Sequence, residues 1–343
     1  MKKNHIIVTG IIILLLIIVN GGYYPVQSMP IGKKVDVETP FEEKYHNDCL
    51  HPSIKYINDS LYLMVQTPYY GWNNKLENPI YYVSNNPNNW KNGKLLVDTP
   101  KTGYNSDPNI FYEDGKVYVY YREGSTPLCD SLNTNFVTLG GELTNDSIID
   151  FKPIMVNRRV NGDTEMCPIL IKKDSIYRFY GVWYEFEPER KNKGIAIWES
   201  SYEDKDFVLK DTIEFDAIYT VDRCAQIKLF NYIFYMPIPL KHDLWHFDFF
   251  EYEDKLYMVS VAEKGDNVML SVSEDYKHFK TFKKPLINNH YTENYVGYRQ
   301  YYYKPTCFIK NDSLYLYYTS QDKENPAKNN LYLSVESLDR ILE

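Results

Sequence analysis

Residues 106–122 read Ser-Asp-Pro-Asn-Ile-Phe-Tyr-Glu-Asp-Gly-Lys-Val-Tyr-Val-Tyr-Tyr-Arg. A polar residue, Asp107, stands before Pro108 and an apolar stretch follows. Glu113-Asp114-Gly115 makes a turn, and 117–121 alternates in period two. That is a strand, a tight hairpin and a second strand. The phrase recurs from His51-Pro52 to Tyr62, Cys167-Pro168 to Tyr177, His246-Phe247 to Tyr257 and Lys304-Pro305 to Tyr315. The closing tyrosines fall at 62, 118, 177, 257 and 315, in steps of 56, 59, 80 and 58. In most copies a further strand follows, at 80–84, 194–198, 268–272 and 330–334. A unit of about 57 residues with four short strands is a propeller blade. Five copies predict an all-β chain, a five-bladed β-propeller with four-stranded antiparallel blades. The long step leaves about 23 extra residues between copies three and four, expected as a loop or an added hairpin. An irregular β-sandwich is the alternative, although it needs no fixed period.

Composition agrees with this architecture. The chain has 343 residues, of which 34 are Tyr, 16 Phe and 5 Trp. Tyrosine favours strands and also makes surfaces on which ring-shaped ligands stack. A net charge of −8 and a pI near 5.5 argue against nucleic acid as a partner. Lys2 and Lys3 precede a nearly apolar run over 6–19, the pattern of a secretory signal. Residues 1–22 are therefore expected to be a signal peptide or a signal anchor, 23–45 an N-terminal extension, and 46–343 the propeller. The protein is expected to be exported, to the periplasm, the medium or the cell surface. A membrane would be met only through an uncleaved N-terminal anchor. Five cysteines, Cys49, Cys129, Cys167, Cys224 and Cys307, contain no C-x-x-C pair, which argues against a structural zinc site.

In a propeller the first strand of each blade lines the central channel. Equivalent copies bring the pre-proline slots together: His51, Asp107, Cys167, His246 and Lys304. Period two adds Glu165 beside Cys167 and Asp248 beside His246. Convergent polar side chains on an apolar scaffold are the default site. Paired carboxylates suit glycoside hydrolysis, one protonating the leaving oxygen while the other activates water or attacks the sugar. Asp107, Glu165 and Asp248 are the candidate catalytic residues. Each also has a plainer role, since a polar residue before proline often only fixes a turn. His51 and His246 are expected to contact substrate or tune its acid and base. No metal is expected as the main reading, since no local ligand motif is present, although with Asp107 they could also ligate one as two imidazoles and a carboxylate, and the channel could hold a structural Ca²⁺. No cofactor is otherwise expected. Tyr69, Trp72 and Trp245 are candidate stacking surfaces. Lys304, Arg299, Arg122 and Glu77-Asn78-Pro79 are further polar candidates, and Cys167 reads as a buried small residue.

These repeats resemble the five-bladed propeller glycosidases of glycoside hydrolase family 43 and its relatives. That resemblance implies an Asp-Pro base in blade one, an Asp in blade three and a Glu acid in blade four. Here blade one carries His51-Pro52, its Asp-Pro counterpart Asp107 lies in blade two, and Trp245-His246-Phe247-Asp248 replaces the Glu. A less characterised bacterial set is more similar. It is matched by His51-Pro52, Thr67-Pro68-Tyr69, Glu77-Asn78-Pro79, Ser106-Asp107-Pro108, Tyr120-Tyr121-Arg122, Trp245-His246-Phe247-Asp248 and Tyr303-Lys304. The resemblance covers roughly 46–335 and implies an exported, glycan-related protein. The expected activity is glycoside hydrolysis of an oligo- or polysaccharide. A non-catalytic, lectin-like propeller is the alternative.

Overall fold

The computed structural model describes residues 27–343, apart from 145–146, 157–163, 186–190, 204, 216–223, 230–231, 238–243, 263–266, 283 and 289–300. Five antiparallel sheets follow one another along the chain. Blade 1 is built from Ser53–Asn58, Leu61–Gln66, Ile80–Ser84 and Lys94–Leu95. Blade 2 comprises Tyr104–Glu113, Lys116–Gly124, Phe136–Thr144 and Ser147–Val156. Blade 3 comprises Thr164–Lys173, Ile176–Glu185, Lys191–Ser200 and Val208–Thr212. Blade 4 comprises Leu244–Tyr252, Lys255–Ala262, Asn267–Ser273 and His278–Thr281. Blade 5 comprises Thr306–Lys310, Ser313–Gln321 and Asn329–Ser337.

The repeated turn residues explain the hairpins. Asp114-Gly115, Asp174-Ser175, Glu253-Asp254 and Asn311-Asp312 all have positive φ at both positions. A two-residue turn of that kind matches the right-handed twist of the strands it joins. The repeated tyrosines pack between blades. Tyr62 lies between blades 5 and 1, Tyr118 and Tyr177 between 2 and 3, and Tyr257 between 4 and 5. Five apolar layers result, one at each blade interface. The innermost strands touch in a closed ring, blade 5 returning to blade 1.

Closure uses residues that the sequence reading assigns to an N-terminal extension. Lys33–Lys34 pairs antiparallel with the last strand and becomes the fourth strand of blade 5. Asp36–Val37 pairs parallel with Asn89–Trp90 of blade 1, and Val35 and Val37 are buried. Further back, the Met29 amide donates to Leu286 O at 3.0 Å, beside blade 4. Residues 33–37, ahead of the boundary expected at 46, thus take part in the sheets of the propeller. The extra residues between copies three and four contain a hairpin, Cys224–Leu229 paired with Tyr232–Pro237.

Candidate active site

Asp107 and Cys167 occupy the same place in blades 2 and 3, each just before a proline. Their φ angles are 51° and 55°. A residue before proline ordinarily takes extended backbone, and left-handed backbone costs a non-glycine residue about 1–2 kcal/mol. Strain of this kind concentrates at functional sites. Strand register also breaks there, between Ser106 and Asn109 and between Met166 and Ile169. A bulge lifts a side chain out of the in–out alternation and re-aims it. His246 follows a similar break, between Leu244 and His246.

All five slot residues come together. Asp107 Oδ1 lies 3.5 Å from His51 Nε2 and 3.7 Å from His246 Nδ1. Cys167 Sγ lies 3.7 Å from the same oxygen, 3.3 Å from Trp245 O, and against His246 Nδ1. Lys304, almost fully buried, donates from Nζ to Pro108 O at 2.8 Å. The other carboxylate oxygen of Asp107 faces Arg122 Nη2 at 3.0 Å. That contact falls outside hydrogen-bonding geometry, so it is an ion pair. Arg122 Nη2 donates instead to Ser106 Oγ at 3.2 Å. The Arg122 guanidinium stacks over Phe136, 4.8 Å from its centroid.

The His51 ring is held from its other side. Its Nδ1 is 2.7 Å from Thr67 Oγ1 and 3.4 Å from Glu77 Oε1. Glu77 is tied to the first strand of blade 2, from which the Asn105 amide donates to Glu77 O at 3.0 Å and Asn105 Nδ2 donates to Asn78 Oδ1 at 3.0 Å. Tyr303 closes the cluster, with ring centroids 5.4 Å from His51 and 4.5 Å from His246. Trp245 Nε1 donates to Tyr303 Oη at 3.0 Å.

Burial dominates the electrostatics. It pushes His51 down to about 3 and His246 well below its ordinary value, with Lys304 and Arg122 adding to it and Asp107 opposing. Both imidazoles are therefore neutral at pH 7, and a neutral imidazole keeps one nitrogen able to act as a ligand. Burial works against ionised Asp107 too, but Arg122, the two imidazoles and Lys304 together hold its carboxyl below the usual range. Glu77 goes the other way. Burial raises it to about 7, against the pull of Ser106 and Arg122. Burial and the Asp107 charge push the Cys167 thiol well up.

Two neutral imidazoles and a fixed carboxylate are a donor set for a divalent ion. One ligand atom from each of His51, Asp107 and His246 lies within 4.8 Å of the others. The buried His246 Nε2 has no hydrogen-bond partner, so the set fits a ligand that supplies one. Thr67 on His51 and Arg122 on Asp107 are the outer contacts that orient such ligands.

The other expected site residues differ in their placement. Asp248 is not a free third carboxylate. Its Oδ2 accepts from Thr306 Oγ1 at 2.6 Å and from the Cys307 amide at 3.3 Å, and its Oδ1 accepts from the Phe249 amide at 2.8 Å. It ties blade 4 to blade 5. Glu165 has its backbone in the first strand of blade 3, opposite Trp183, but its side chain lies outside the described residues, as does all of Arg299. Tyr69 borders the centre, close enough to feel the charges of Glu77 and Arg122. Trp72 sits on the next turn, 58% exposed, edge-on to Tyr69 at 5.4 Å. Glu77 and Tyr303 had weak sequence signals. Glu77 carries the polar-then-proline phrase outside a blade start, and Tyr303 merely precedes Lys304.

No family model and no curated protein matches the sequence. Solved structures do match in shape. One is an N-acetylgalactosamine deacetylase from F. plautii in complex with blood group B trisaccharide. It is 10% identical, with 92% of this chain and 96% of that chain covered at a TM-score of 0.65. A family 43 glycoside hydrolase from Xanthomonas citri complexed with xylotriose is 10% identical over 86% and 89%, at 0.59. A family 117 glycoside hydrolase from Zobellia galactanivorans is 13% identical over 92% and 93%, at 0.55. The fold is that of the five-bladed propeller glycoside hydrolases. At such identities the likeness speaks for architecture alone.

Proposed function

We propose that this protein is a carbohydrate-active hydrolase that removes an N-acyl group from a sugar, working at a divalent-cation site made by His51, Asp107 and His246. The observation that carries the reading is the convergence of these three buried donors within 4.8 Å. A cation held there supplies Lewis acidity toward an acyl oxygen or a water. Asp107 fixes the charge of the site, and Arg122 and the strained backbone hold it in place. Glu77, 3.4 Å from His51, is the group placed to carry a proton. Tyr303 and Trp245 form the wall on the histidine side, and the exposed Trp72 offers a face for a sugar ring further out. A carbohydrate substrate is supported by the similar structures bound to a blood-group trisaccharide and to xylotriose. Residues 1–22 support export of the protein, and their apolar run supports passage through or anchoring in a membrane.

A second reading is favoured by one observation, the placement of Glu77 and Asp107 against opposite nitrogens of His51. Two carboxylates of unlike environment can also serve glycosidic cleavage as acid and base. The test is a panel of N-acetylated and unmodified glycans, given to the full chain and to Glu77→Gln and Asp107→Asn. Acetate released by the wild type and by neither variant supports the first reading. New reducing ends in place of acetate support the second. Saturable binding without either product rejects both and leaves a glycan-binding propeller.

A further inference from the structure

We infer that Cys167 is a fourth ligand at the His51, Asp107 and His246 site, and that its sulfur selects a zinc-class ion over calcium. The inference rests on the cation reading of those three residues. It begins with aim. The bulge and positive φ at Cys167 repeat those at Asp107 one blade earlier. Both side chains are thereby turned toward the same point. Sγ lies against His246 Nδ1 and 3.7 Å from Asp107 Oδ1, and so faces two of the three donors.

The plainer role is a buried thiol donating to Trp245 O at 3.3 Å. Charge favours the ligand role. Asp107 is one anion, with Arg122 at 3.0 Å from it and buried Lys304 alongside. A divalent ion with Asp107 alone would add net positive charge beside those two cations. A thiolate brings the ligand set to two negative charges and balances the ion. On binding, the sulfur lone pair forms the bond to the metal and the thiol proton leaves to solvent, with no change of oxidation state. Calcium asks for six to eight oxygens. Among the described residues the atoms against Sγ are His246 Nδ1, an Asp107 oxygen and Trp245 O, fewer oxygens than calcium asks for, and the nitrogen and sulfur suit zinc or cobalt.

The test uses the full chain, stripped with chelator and reloaded with cobalt(II). A cobalt–thiolate bond gives a strong near-ultraviolet charge-transfer band in addition to weaker visible bands. The wild type is expected to show both. Cys167→Ser should keep the visible bands, lose the near-ultraviolet band and bind zinc at least about tenfold more weakly. Cys307→Ser, a buried cysteine tied to Asp248, should keep both, and a large excess of calcium should bleach neither. Zinc-edge X-ray absorption on the wild type needs no variant, and one sulfur at about 2.3 Å is expected. Visible bands without the charge-transfer band, or a zinc shell of nitrogen and oxygen only, overturn the role of Cys167 and leave the cation site standing. No cobalt uptake removes the site and this inference with it.

Discussion

At the scale of single residues, the two buried aspartates near the channel separate by what they touch. Asp107 holds an ion pair with Arg122 and faces both histidines. Replacing it by Asn should abolish turnover and cost about 3–5 kcal/mol, because Arg122 stays buried without its partner. Asp248→Asn should cost about 1–3 kcal/mol, the range for a buried hydrogen-bond loss, and leave turnover near wild type. Denaturant midpoints and rates on the two variants check the contrast. Period two placed Asp248 on the channel side, but alternation gives a side and not a partner, and Thr306 and Cys307 claim the carboxylate. The pre-proline slots were legible because a recurring phrase marks each of them. Glu77 was legible only as a further polar candidate, because it belongs to a loop between strands. A third aspartate gives a pH dependence. Burial raises Asp48 to about 6 against its backbone hydrogen bonds from Asn329 and Tyr69. Its folded value exceeds the unfolded one, so its contribution is complete below about pH 4 and is lost as pH rises through about 6. Stability measured from pH 4 to 7 should fall by up to about 3 kcal/mol from this group, and Asp48→Asn should flatten that slope.

At the scale of elements, the hairpins were legible because turn chemistry and period two agree at each copy. The closing strand was not. Lys33–Lys34 and Asp36–Val37 are two residues each, too short to show any period. Their place is set by partners distant in the sequence, Leu333 and Tyr332 on one side and Asn89 and Trp90 on the other. A chain beginning at residue 39 should therefore lose cooperative thermal unfolding, whereas one beginning at 27 should keep it. Equal melting curves for the two would show that the strap is dispensable.

At the scale of the whole molecule, five blades meet through five apolar layers, and the tyrosine spacing foretold that count. Phe179 sits fully buried between blades 2 and 3, edge-on to Tyr120 at 5.4 Å and to Phe207 at 5.3 Å. Phe179→Ala should cost about 3–5 kcal/mol and shift one transition of the whole ring. Trp72→Ala should move stability by no more than about 0.5 kcal/mol and weaken glycan binding several-fold, read by calorimetry. What the sequence left open was the chemistry at the hub, because the ring determines which slots meet but burial determines their charge. The most direct test of that chemistry is acetate release from N-acetylated glycans by the full chain, before and after exhaustive chelation. Chelation should abolish that release and zinc should restore it. Release that survives complete removal of metal would contradict the cation reading of His51, Asp107 and His246.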